Sequence, residues 1–322
     1  MLLTYSDVAH IPDKLSVFYS QAYESLFFKH DALKSGFQRE RRSGLDIQDF
    51  ARVFAAFCMQ SYDTREFSFS QSRALEILDR GKRITQLAFE PRALLDDALQ
   101  AVCLLVEEGL EITFAHRSFQ EYFVARFINS CPTDMKSKLV KHIAPAAPSD
   151  AVMGLLHEMD PYVVEQYYIL PAIEDLKRLI KVVRHLGVSH FLRYLKSVWA
   201  TFSAGPADHI SGGLAEPGLF FALRFARDHY TRGPGLLSKE QEEAVRSAIV
   251  GASDGEREGP RALVSRKSLT ARSECVRVLF DLAGVWGAGF LRDVLAIESL
   301  IRQRHKDAQS SLEAILAGSR RR

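Results

Sequence analysis

Apolar residues recur every three or four positions through most of this chain, and short alternating runs interrupt them mostly within the first 116 residues. Leu15, Phe18, Tyr19, Ala22, Leu26 and Leu33 have helical spacing over residues 14–34, with Pro12 and Asp13 supplying a start. A second helix is expected over 47–60, capped by Asp46 and carrying Phe50, Val53, Phe54 and Phe57 on one face. "EFSFSQSRALEILDRG" (66–81) reads as a short strand, Ser70 as cap, and a helix that ends at Gly81. Between these, "SGFQRERRSG" (35–44) is a polar linker whose arginines are expected in a solvated loop.

From Pro91 to Glu108 the stripe Leu94, Leu95, Ala98, Val102, Leu105 and Val106 predicts another helix, ended by Gly109. "LEITFAH" (110–116) alternates enough to be a strand. A helix then runs from Ser118 to about Asn129, and Ser118 with Glu121 has the S-x-x-E spacing of a capping box. Helices, a strand pair and a final helix give residues 45–130 a winged-helix-like order.

Beyond Cys131 strands largely vanish. Helices are expected near 135–143, 151–159, 161–166, 170–185, 189–202, 219–230, 239–250, 271–286 and 290–316. "SAGPADHISGGLAEPG" (203–218) is a Gly/Pro-rich loop, and "SDGEREGPRALVSRKS" (253–268) reads as an exposed loop. No fixed-period motif marks a repeat array. The predicted fold is therefore mainly α: a remnant helical segment over 1–35, a winged-helix-like domain with few short strands over 45–130, and an all-helical region over 131–322.

Composition narrows the partners. A formal net charge of +2 over 322 residues gives no electrostatic reason to expect nucleic acid or an anionic membrane. Cys58, Cys103, Cys131 and Cys275 are scattered without a C-x-x-C pair, which favours reduced thiols and a cytoplasmic location over a disulfide framework or a zinc site. There is no apolar run of membrane-spanning length. The opening "MLLTYSDVAHIPDKLSVFYSQ" lacks the features of a signal peptide, and reads as a helix tail, a loop at 9–13 and a second helix.

Candidate chemistry is sparse. No G-x-x-x-x-G-K-[ST] cradle is present; Gly81-Lys82 in "DRGKRIT" has no earlier glycine at the right spacing and reads as a helix end. No G-x-S-x-G elbow, H-E-x-x-H pair or calcium loop occurs, and no metal-ligand set is expected. His157, His185, His190 and His229 stand alone and are expected to be structural or exposed. His116 differs: it sits two residues before the expected cap Ser118, where a helix N-terminus attracts anions and an imidazole can donate to a phosphate oxygen.

"FAHRSFQEYFVARF" (114–127) resembles the F-x-H-[RK]-S-F-Q-E-[YF] signature near the end of the winged-helix domain of NACHT-type STAND NTPases, the family of the NOD-like receptors and many bacterial defence proteins. Upstream, the first 27 residues are similar to that family's first helical domain, with Ile11-Pro12 and Phe18-Tyr19 fitting and Lys14 near the place of a usual arginine. The resemblance implies that His116 contacts the β-phosphate of ADP in a closed state, and that Arg117, Ser118, Phe119, Gln120, Glu121, Tyr122 and Phe123 complete the motif mostly as cap and core.

It also implies that Walker A, Walker B and the rest of the nucleotide domain lie before residue 1, on a truncated gene's missing part, a fragment's remainder or a split partner. The chain alone is then not an enzyme and holds no cofactor; ATP or ADP with Mg belongs to the complete architecture. The implied function is the regulatory or sensor portion of a signalling ATPase in bacterial immune (anti-phage) or stress signalling. Expected partners are the nucleotide-binding domain, a nucleotide-dependent homo-oligomer and a protein ligand sensed by the C-terminal helices. The alternatives are a winged-helix DNA-binding regulator, which the aromatic face of the 118–129 helix disfavours, and a helical scaffold or protein-interaction module.

Overall fold

The computed structural model describes residues 12–29, 41–182, 185–204, 210–231, 238–253, 257–258, 261–282 and 287–319. The expected helix tail before Pro12, most of the 35–44 linker and the basic end Arg320–Arg322 lie outside them. The chain divides into two compact units after Val164. Among the described residues, no helix is long and apolar enough to cross a membrane.

In the first unit, α1 (Leu15–Lys29) and α2 (Ile47–Asp63) precede β1 (Ser68–Phe69) and α3 (Gln71–Thr85). Asp46 begins α2 as expected, its carboxylate accepting from the N–H groups of Gln48 and Asp49 at 2.8 Å each. Phe50, Val53, Phe54 and Phe57 are wholly buried, and so are Ala51, Ala56 and Cys58, because α2 is packed on more than one side. Ser70 caps α3, accepting from Arg73 N–H.

Gly81 is not the end of α3. The helix continues to Thr85 and closes with Gln86 in the left-handed region, φ 56°. Gly81 instead lies against α2, where a Cβ would sit 3.6 Å from Val53 Cγ1. Of the linker arginines, Arg41 and Arg42 lie among the described residues, and Arg42 is exposed as expected. Arg41 lies over the Phe27 ring at 4.1 Å and Arg42 pairs with Asp96 at 2.6 Å.

The continuous helix expected over 91–108 is broken in three. α4 (Pro91–Asp96) passes into a π turn (Asp97–Ala101), and the chain then enters β2 (Leu105–Glu108). Asp97, 2% exposed, turns inward to accept from the N–H groups of Arg42 (2.8 Å) and Ser43 (2.9 Å). Cys103, at φ 55°, reverses the chain. Leu105 and Val106, on the helical stripe by spacing, then pair with Phe114 and Thr113 of β3 (Glu111–Phe114). The two-residue turn between these strands uses Gly109 at φ +68°. β1 pairs on the other side of β3, giving an antiparallel sheet of order β1-β3-β2.

α5 (Arg117–Ser130) follows, then α6 (Thr133–Ile143), α7 (Val152–Met159) and α8 (Pro161–Val164). Phe123 is wholly buried in an aromatic cluster, with ring centroids 4.9 Å from Phe54 and 5.3 Å from Tyr23. The unit reaches past residue 130 because α7 packs on both α5 and α1; Ser16 N–H donates to Glu158 at 2.7 Å.

The second unit opens with a π turn (Glu165–Ile169), followed by α9 (Leu170–Ile180), α10 (Val188–Val198), β4 (Trp199–Ala204), β5 (Ile210–Leu214), α11 (Pro217–Tyr230) and α12 (Lys239–Ala252). β6 (Arg257–Glu258), β7 (Arg261–Ser265), α13 (Glu274–Phe280) and the 32-residue α14 (Ala288–Ser319) complete it. Helices dominate, so the chain is mainly α, but the region is not all-helical. An antiparallel sheet of order β5-β4-β7-β6 runs through it. The helix expected over 189–202 stops at Val198, and Phe202 faces Val264 of β7 instead. The expected exposed loop 253–268 supplies β6 and β7, with Val264 1% exposed.

Candidate functional site at the start of α5

β3 puts Ile112 and Phe114 into the core, and Ala115 N–H donates to Leu104 O at 3.0 Å, which ends the strand. The next residue, His116, is extended (φ −153°, ψ 129°) and is itself the N-cap of α5. Its Nδ1 accepts from Ser118 N–H at 3.3 Å and also meets the Ser118 hydroxyl. The helix thus starts earlier than expected, and the Ser118–Glu121 capping box is not formed, because the imidazole occupies the acceptor position first.

Glu121 turns sideways instead. One oxygen is 3.4 Å from Arg117 Nε, and the other accepts from Ala151 N–H at 3.4 Å. Burial pushes its carboxyl above the usual range, partly offset by the Ala151 N–H and by Arg117. Beside it, Tyr62 donates to Asp150 at 2.6 Å, while the other oxygen of Asp150 accepts from Val152 N–H at the start of α7. Burial and the Asp150 contact hold the Tyr62 hydroxyl well above its ordinary value. Arg117 lies over the Phe67 ring at 4.4 Å.

These contacts divide motif residues 116–123 into two exposed ones, His116 and Arg117, and several that are buried or half-buried. With Nδ1 accepting a backbone N–H, the neutral ring carries its proton on Nε2, and His116 is exposed. Ser118 already spends its N–H and hydroxyl on the ring, so the imidazole Nε2–H, next to the exposed Arg117 side chain, is a donor this helix start offers to an anion. Gln120 is wholly buried and ties α5 to α2, donating to Ser61 Oγ at 2.8 Å and to Glu66 O at 3.2 Å. Phe119 and Tyr122 pack on Tyr19, at 5.6 and 5.7 Å, as their spacing predicts.

A base-reading face is missing from α5. Tyr122, Phe123, Val124 and Ile128 are buried, Gln120 is committed inward, and Arg126 donates to Gln48 at 2.8 Å. The DNA-binding alternative loses the helix it requires. Nor can Gly81-Lys82 cradle a phosphate, since Gly81 is buried inside α3. Among the described residues, no three His, Cys, Asp or Glu side chains are grouped to hold a metal ion.

Sequence reasoning missed a polar centre in the second unit. Glu165, wholly buried, contacts Tyr230, Arg304 and His305, residues 65 to 140 positions away in sequence. Only Glu165, set among the apolar and aromatic residues of "PYVVEQYYIL" (161–170), hints at it.

Residues 159–316 match the family model described as SNaCT13, Short NACHT-associated C-Terminal domain, family 13, and this span nearly coincides with the second unit. No curated protein and no solved structure matches the chain.

Proposed function

We propose that this chain, whose residues 159–316 match the model of a short NACHT-associated C-terminal domain, is a C-terminal, regulatory portion of a NACHT-type signalling ATPase. The matched domain is not itself a catalytic ATPase domain. In this reading residues 45–130 are the winged-helix domain, and the second unit is the sensor that meets a protein ligand. The setting is bacterial immune or stress signalling.

The observation that carries the proposal is the division of labour within His116. Its Nδ1 fixes the ring as the cap of α5, and its Nε2–H is directed to an exposed position where a nucleotide domain can bring a phosphate. These residues fit an ADP phosphate as a single donor held rigidly, and not as a complete nucleotide site. When bound, ADP supplies the negative charge that joins the nucleotide domain to the start of α5. His116 supplies the answering N–H, and the buried Gln120 and the aromatic cluster keep α5 in place beneath it.

Loss of one hydrogen bond to a charged group costs about 1.5–3 kcal/mol, or roughly 10- to 150-fold in affinity. That is enough to shift a two-state equilibrium toward the open, assembling form. The test is the mass of the assembly, by light scattering, for this chain joined to a NACHT nucleotide domain in ADP and in ATP. His116→Asn should assemble in ADP where the unaltered protein stays monomeric. Monomers in ADP for both proteins refute the role of His116.

A further inference from the structure

Glu165 opens the π turn at the start of the second unit, and its side chain is wholly buried. A buried carboxylate is stable only when its charge is answered by well-placed donors. Here one oxygen receives the Tyr230 hydroxyl from the end of α11 and the Arg304 guanidinium from α14. The other receives His305 Nε2, also from α14, at 2.6 Å. Arg304 in turn donates to the Tyr230 hydroxyl at 3.1 Å. Burial, with Arg304 and Arg302 nearby, holds the His305 imidazole below its usual range, so it donates as a neutral ring. The cluster thus balances one carboxylate against one guanidinium.

Its position along α14 gives it a second consequence. Phe290, Leu291, Val294, Ile297 and Ile301 bury the first half of that helix. From residue 302 to residue 317 every side chain is exposed except His305, which is half-buried. Lys177 and Arg302 brace Glu298 one turn earlier, at 3.0 and 2.9 Å, and Arg302 reaches Glu174 at 2.7 Å. The Glu165 contacts are the last buried anchor before an exposed stretch of about 20 Å, at 1.5 Å per residue. A π turn is a common device for aiming one side chain out of the helical register.

We propose that Glu165 is a conformational latch: its carboxylate, seated by the π turn, fixes α14 at Arg304 and His305 and so sets the position of the helix beyond them. Releasing the carboxylate frees α14 beyond Arg302 while the rest of the unit stays folded. The inference rests on this geometry and not on the nucleotide role of His116.

Backbone amide exchange on the full chain tests it. In Glu165→Gln, peptides spanning residues 300–308 should exchange at least tenfold faster than in the unaltered protein, while α12 and the β4–β7 sheet keep their rates. Tyr230→Phe, which removes one donor and leaves the charge pair, should accelerate the same peptides severalfold. Unaltered rates over 300–308 in both variants overturn the latch. If Glu165→Gln exchanges fast throughout the second unit, Tyr230→Phe decides: local acceleration supports the latch, and an unchanged rate overturns it.

Discussion

The substitution His116→Ala should loosen α5 by an amount that the structure fixes, and His116→Asn should not. Among the described residues His116 is the side chain that caps α5, through Nδ1 to Ser118 N–H. Truncation to Ala leaves that amide to water and removes a cap of the kind that contributes about 0.5–2 kcal/mol, most often ~1. Asparagine is among the best N-cap residues, and its short side chain offers an oxygen at the same place, so its cost should stay within about 0.5 kcal/mol. The helix beneath is held by Phe123, Val124 and Ile128, all wholly buried, so the loss appears as more frequent opening and not as unfolding. A change of ~1 kcal/mol corresponds to about fivefold faster exchange of the α5 amides. Native-state hydrogen exchange over 119–128 is the assay. Equal acceleration in the Asn and Ala variants, or none in Ala, refutes the cap and with it the tautomer that points Nε2–H outward.

Other substitutions test the packing around that helix. Phe123→Ala empties a wholly buried ring position between Phe54 and Tyr23, and should lower the stability of the first unit by about 3–5 kcal/mol; a thermal midpoint lowered by only a degree or two contradicts the cluster. Gly81→Ala should be neutral or gain up to about 1 kcal/mol, because its Cβ meets Val53 at ordinary contact distance inside a helix. Gly81→Leu should cost about 1–3 kcal/mol by overpacking, and equal melting of the two variants argues against the close crossing. Glu121 has a folded-state pKa raised by burial, so its ionisation opposes folding: the favourable contribution of the protonated form is complete below the unfolded pKa and disappears as pH rises through the folded one. Glu121→Gln should therefore raise the thermal midpoint more at pH 7 than at pH 4, and the opposite order contradicts the assignment.

The helices whose stripes and caps agree are legible in the chain. α2 with Asp46, the start of α3 at Ser70 and the long α14 fall where periodicity places them. The failures share a cause: a residue's partner lies on a neighbouring strand and not in its own helical turn. Leu105 and Val106 continue a helical stripe, yet β3 claims them once Cys103 reverses the chain. Trp199 and Phe202 extend the spacing of α10, and pairing with Leu214 and Gly212 of β5, and of Phe202 with Val264 of β7, makes them a strand. Short apolar runs with aromatic residues fit either period, so strand pairing decides. At the candidate site the motif marks His116, but not that the ring is its own cap. That exchange of roles depends on Ala115 being committed to Leu104. Glu165 was least legible of all, because Tyr230, Arg304 and His305 meet it only through tertiary packing.

The central claim is that His116 holds a phosphate through Nε2 while Nδ1 holds the helix. It is tested most directly by calorimetric titration of ADP into this chain joined to a NACHT nucleotide domain, comparing His116, His116→Asn and His116→Ala. The account predicts that both variants bind ADP about 10- to 150-fold more weakly, although only the Ala variant loosens α5. Unchanged ADP affinity in His116→Asn contradicts it.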